Sequence, residues 1–266
     1  MSRYKLRANY DIENIDSQKM DGTVIVDVPM LSNGELNYGL SHIKKKLYEE
    51  NVYPSEIGFD IMSLATMVYM ADTRIERVVH GQDSWTREIE LEIPVSNVEI
   101  WDSQIRTVER MLKFLTGDLW KITLSSRAWQ FNNLEEVREK SNKYDEVSLF
   151  SGGMDSLIST INLMENKKNT LLISHAGEGL TKNAQKNIVN KFDLLYPDVL
   201  HTWLDLWMVF PRDYIPAGGN DNNTRSRSFL FIGYALFAMT GMDNINELLV
   251  PENGLIALNV PLDETR

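Results

Sequence analysis

Residues 144–159 read YDEVSLFSGGMDSLIS, and this stretch decides the fold of the half of the chain around it. The run 147–150 (VSLF) is short and apolar, as in a buried strand, and residues 154–164 carry apolar side chains at helical spacing. Between them stand Ser151, Gly152, Gly153, Met154, Asp155 and Ser156. Two glycines let the backbone turn sharply and approach a ligand closely. The free N–H groups that open a helix, with its dipole, favour an anion. Ser151 and Ser156 add a hydroxyl at each end. A strand, this string and a helix in sequence read as a phosphate cradle, although a Gly-Gly turn alone would read as an ordinary junction.

Downstream, strands alternate with helices. Residues 171–174 (LLIS) and 199–206 (VLHTWLDL) read as strands, and 248–250 as a fourth. Helices are expected over 181–195, with Thr181 as N-cap, and over 225–240, with Gly241 just past the end. This alternation predicts an α/β fold with a parallel sheet covered on both faces, whose ligands sit at the carboxyl ends of the strands.

Residues 1–140 read differently. Residues 23–28 (TVIVDV) and 119–124 (LWKITL) are strand candidates, and 57–71 is an apolar, helix-patterned run. Residues 87–93 (REIELEI) alternate strictly, placing Ile89, Leu91 and Ile93 on one face and Glu88, Glu90 and Glu92 on a solvated one. An amphipathic helix is expected over 97–115, with Ile100 inward and Gly117 ending it. The expectation is an α+β recognition or partner domain over 1–140, joined through the polar 132–144 to an α/β domain over 141–266.

Of the 266 residues, 43% are apolar and 24% charged, which excludes a disordered or collagen-like chain. Without cysteine there is no disulfide, thiolate zinc site, iron–sulfur cluster or cysteine nucleophile, and a reducing, cytoplasmic setting is expected. No apolar run is long enough to span a membrane. The net charge of −11 disfavours nucleic acid and favours small-molecule or protein partners.

There is neither a G-x-x-x-x-G-K-[ST] nor a G-x-G-x-x-G string. The Ser151–Ser156 string instead resembles the PP-loop of the N-type ATP pyrophosphatases, a superfamily with an adenine nucleotide alpha hydrolase-like, Rossmann-like fold. The resemblance implies ATP as substrate, cleavage between its α- and β-phosphates, a loop that holds pyrophosphate, and transfer of AMP to a carboxylate or carbonyl oxygen. It implies Mg²⁺ bridging phosphate oxygens, with Asp155 as the loop carboxylate and a catalytic residue.

Residues 224–254 (TRSRSFLFIGYALFAMTGMDNINELLVPENG) resemble the 7-cyano-7-deazaguanine synthase (QueC) branch, in which an arginine opens a long apolar helix before the strand that carries a substrate loop. Arg227 matches that arginine and is a catalytic candidate. Ser228 departs from the usual asparagine. Arg225 adds charge beside it, and Glu252 and Asn253 stand in the loop. His175 ends the second strand, where the superfamily places adenine, and it is an adenine or substrate candidate. The four-cysteine zinc cluster of that branch is missing. The long first half resembles the QueC-like proteins of bacterial anti-phage systems, the Qat (QatC-type) and CBASS-associated ones, with partner proteins from a defence operon. The implied activity is an adenylate-forming C–N ligase acting on a carboxylated 7-deazapurine, with ammonia or a protein amine as nucleophile. The alternatives are a non-catalytic nucleotide-binding scaffold and a tRNA-modifying enzyme, the latter disfavoured by the charge.

Overall fold

The computed structural model describes residues 3–131, 141–221 and 225–252. The first half contains β1 (Arg3–Asn9), β2 (Asp16–Met20), β3 (Thr23–Pro29) and a short hairpin of β4 (Leu31–Ser32) and β5 (Glu35–Leu36). Helices α1 (Leu40–Glu49), α2 (Glu56–Arg74) and α3 (Arg77–His80) follow, then β6 (Glu88–Val95), α4 (Val98–Asp102), α5 (Ile105–Thr116) and β7 (Leu119–Ser126). The second half contains β8 (Glu146–Leu149), α6 (Met154–Glu165), β9 (Thr170–Ala176), α7 (Gly179–Leu195), β10 (His201–Trp207), α8 (Arg227–Met239) and β11 (Leu248–Leu249).

The first sheet has the order β2-β3-β1-β6-β7. Only β2 runs antiparallel; β3, β1, β6 and β7 are parallel neighbours. The first half is therefore built on α/β crossovers, through α1–α2 and through α4–α5, and not on the α+β plan expected from its sequence. Helix α2 begins at Ser55, whose side chain accepts from the Gly58 N–H. It is buried almost all round because it lies between this sheet and α8. The close approach needs glycine: a Cβ on Gly233 would stand 2.8 Å from the Ala65 Cβ.

The second sheet, β10-β9-β8-β11, is wholly parallel. Helix α8 covers one face, and Phe150, Leu172, Val189 and Phe192 pack beneath α6 and α7 on the other. A single apolar core runs from Tyr4 and Leu91 in the first sheet, through Ala65 and Tyr234, to Leu149 and Ile173 in the second. Of the junction expected over 132–144, residues 132–140 lie outside the described residues.

Three local expectations are corrected. The helix expected over 97–115 is broken into α4 and α5 at Ser103-Gln104, and Ile100 is 49% exposed. Thr181 lies inside the first turn of α7, with Glu178 as N-cap, and its hydroxyl donates to the Glu178 carboxylate. The glutamates of β6 do not form a merely solvated face. Glu88 pairs with Arg3, and Glu90 and Glu92 pair with Lys5 at 3.2 and 3.0 Å. The strand face is a charge ladder across β1 and β6, because parallel register sets β1 cations beside β6 anions.

Candidate functional site

The strand order places β8 between β9 and β11, so the chain leaves β8 in one direction and returns to its other side much later. This is the switch point of the sheet, where a crevice opens at the strand carboxyl ends. The segment Ser151–Ser156 fills it. Gly152 has φ +82°, and a Cβ there would meet Gln185 Cγ at 2.9 Å, so both the backbone and the packing require glycine. Ser156 is buried, accepts from the Gly152 N–H at 3.1 Å and donates to the Gly153 carbonyl at 2.9 Å. The Ser151 hydroxyl lies 3.2 Å from that of Ser156. No side chain caps α6, whose N-cap is Gly153, so its opening N–H groups keep their capacity for an anion.

A cavity of about 380 Å³ lies against this loop, lined by Ser151, Ser156, Arg227, Ser228, Pro251 and Glu252 among others. Four residues singled out from the sequence thus meet in one place: both serines, Arg227 and Glu252. Met154 and Asp155 are exposed on the first turn of α6. Among the described residues no group of three His, Asp or Glu side chains gathers to hold a metal.

Arg227 also lines a second cavity, of about 420 Å³, at the ends of β9 and β10 with His175, Gly177, Met208 and Phe210. Its Nη2 donates to the His175 carbonyl at 3.3 Å, and its guanidinium lies over the Phe231 ring at 5.6 Å. His175 is 1% exposed; its Nε2 lies 3.3 Å from the Met208 carbonyl, and Nδ1 has no partner among the described residues. With Nε2–H donating, Nδ1 is a bare acceptor. Burial pushes this imidazole down to about 4, with the nearby Arg227 charge acting in the same direction and the Met208 carbonyl opposing it.

An unfolded chain protonates this histidine as the pH falls through about 6.5, whereas the folded chain resists until about 4. Stability is thus fully present above the upper value and is lost between the two, by about 3 kcal/mol at most. His80, also depressed by burial, acts in the same direction. Urea midpoints measured across this window are expected to fall with pH in the wild type and to fall less in His175→Asn. An equal slope in the two proteins would remove His175 from the account.

The other candidates lie elsewhere. Arg225 does not join Arg227. Its Nη1 donates to the Thr116 carbonyl at 2.8 Å and its guanidinium stacks over Trp85 at 4.3 Å, which ties the start of α8 to the first half. Side chains two apart at a helix start point in different directions, so the expected pair is split. Asn253 lies outside the described residues. His201 bonds the Val199 carbonyl and Asp193, as a structural histidine does.

Sequence reasoning missed three contributors. Gln185 of α7 donates to the Ser151 carbonyl at 3.0 Å and packs under Gly152. Tyr69 and Arg74 of α2 wall the His175 cavity from the first half. No local spacing marks any of them, since tertiary packing alone brings them to the loop. No protein-family model, curated protein or solved structure matches this chain.

Proposed function

We propose that the chain binds ATP with its β- and γ-phosphates against Ser151–Ser156 and transfers AMP to a carboxylate, releasing pyrophosphate. The observation that carries this reading is the meeting of the glycine-serine loop, an uncapped helix start and Arg227 around one cavity at the sheet switch point. Loop N–H groups and hydroxyls bind the departing pyrophosphate. Arg227, between the two cavities, faces charge growing on the bridging region as the bond to the α-phosphorus breaks. The His175 cavity, walled by Tyr69 and Phe210, suits the adenine ring, and Glu252 suits an amine or cation of the second substrate. Mg²⁺ neutralises phosphate charge when bound with ATP.

A carboxylated 7-deazapurine as the acceptor and ammonia or a protein amine as the nucleophile rest on the resemblance of residues 144–159 and 224–254, and partners from an anti-phage operon rest on that of the long first half. Among the described residues, no helix is long and apolar enough to cross a membrane.

Incubation with ATP, Mg²⁺ and 7-carboxy-7-deazaguanine is expected to yield AMP and pyrophosphate. ADP and phosphate as the products would overturn the reading, and ATP binding without turnover would favour a scaffold. Ser156→Ala is expected to weaken ATP binding by about tenfold, through loss of the bonds to Gly152 and Gly153 that shape the loop. Asp155→Ala is expected to lower turnover more than binding. Unchanged pyrophosphate release in both variants would dismiss the assignment of the loop.

A further inference from the structure

Among the described residues the first sheet ends at β7, with no strand beyond it. Such an edge invites pairing with another chain. Here one outward backbone group is already taken: the Ile122 N–H donates to Glu109 of α5 at 2.8 Å. Helix α5 and β7 thereby form the two walls of a concavity of about 360 Å³, lined by Arg106, Glu109, Arg110, Lys113, Leu119 and Trp120. A second concavity, of about 410 Å³, on the open face of the sheet shares Leu119 and Trp120 with it. The surface is thus a groove bent around the start of the edge strand.

Its chemistry is unlike the rest of the chain. The whole sequence carries −11, yet Arg106, Arg110 and Lys113 form a stripe at helical spacing and make no ion pair among the described residues. Lys121 stands in the adjoining concavity, its side chain 71% exposed and paired with Glu90 at 3.7 Å. The one carboxylate among the groove-lining residues of α5, Glu109, is committed to the strand. Apolar side chains accompany the cations: Phe114 is 67% exposed, Leu119 44% and Met111 40%. Exposed aromatic and arginine side chains together are the composition of binding hot spots.

We propose that this groove docks an acidic segment of a partner protein that carries an apolar or aromatic anchor. Leu119, which lines the groove, and Phe114, one turn along α5 from Arg110, receive the anchor, and Arg106, Arg110 and Lys113 pair with carboxylates beside it. Charge complementarity decides the occupant. A nucleic-acid backbone following the groove would meet Glu88 and Glu90, which line the adjoining concavity, and would leave Phe114 against phosphates. A short segment stops before those glutamates. The inference is independent of the ATP reading, since these residues belong neither to the loop cavity nor to the His175 cavity.

The test is a random peptide library displayed on phage and panned against the full chain. The expected winners carry Asp or Glu on both sides of Leu, Phe or Trp. Synthetic versions are expected to bind Phe114→Ser or Arg110→Glu about 10- to 30-fold more weakly than the wild type. Both substitutions lie on an exposed helix face, and circular dichroism checks that the variants fold. A peptide with lysine in place of its acidic residues is expected to recover affinity for Arg110→Glu. Absence of acidic enrichment, or equal binding to the wild type and both variants, would overturn the proposal. So would duplex DNA binding, or concentration-dependent self-association, that is lost in the same variants.

Discussion

Arg227→Ala is expected to slow AMP formation about 10²- to 10³-fold in a chain that still folds. Arg227 is half-buried and lines both cavities. It is held at the start of α8 by a peptide bond that is itself anchored: the preceding Ser226 N–H donates to Asp72 at 3.0 Å. A cation at the start of a helix works against the helix dipole. Here it costs little of the fold, because the side chain donates to the His175 carbonyl and rests on Phe231. The charge is therefore placed before any ligand arrives, which is the condition for electrostatic stabilisation without reorganisation. Arg227→Lys is expected to recover only part of the rate, since an ammonium cannot reproduce a two-pronged contact. ATP affinity in the same variants should change less than the rate if the contact strengthens as charge develops. Wild-type AMP formation in folded Arg227→Ala would falsify a role in the transition state.

Arg87→Met is expected to cost about 3–5 kcal/mol of stability, because it removes the cation that both buried carboxylates share most closely. The Arg87 side chain is almost fully buried. It donates to Asp118 at 3.1 and 2.6 Å, to Asp72 at 2.6 Å, and to the carbonyls of Asp72 and Ile75 at 3.0 and 2.5 Å. Arg77 shares both acids, reaching Asp118 at 2.6 and 3.0 Å. Burial opposes ionisation of Asp118, but the Arg87 bonds outweigh it and hold the carboxyl below its usual range. The network joins α2, α3, the β6 start and the turn before β7, and through Asp72 it reaches Ser226, the N-cap of α8. For a chain of this size the loss should lower the urea midpoint by roughly 1 M or more. Retention of Arg77 will not rescue the variant, since its fork is already used. A midpoint within error of the wild type would show that the acids find other partners.

The second half was largely legible because its signals are local. A short apolar run, two glycines and an apolar helix follow one another within residues 144–159, and the loop is where they predict it. Alternating strands and helices gave the parallel sheet, since a crossover needs about that spacing. The first half was harder. Residues 3–9 alternate Tyr4, Leu6 and Ala8 inward with Arg3, Lys5 and Arg7 outward, a period-two signal left unread, and they form the middle strand of the sheet. Residues 87–93 were read as a strand, but their partners were not legible. The glutamates look solvated until Lys5 and Arg3 are set beside them in register.

The sequence by itself determined that residues 151–156 turn sharply into a helix, that no cysteine chemistry exists, and that Arg227 opens a long apolar helix. Those are properties of neighbours along the chain: glycine torsions, residue inventory and helical period. Only the tertiary structure decided that Arg227 and not Arg225 reaches the loop, that Gln185 supports it, and that α2 of the first half walls the adjoining cavity. It also decided that Arg87 is the buried partner of two aspartates lying 15 and 31 residues away in sequence. Such contacts depend on which faces are brought together when α2 and α8 pack at the distance that Gly233 permits, and no spacing within one segment encodes that distance.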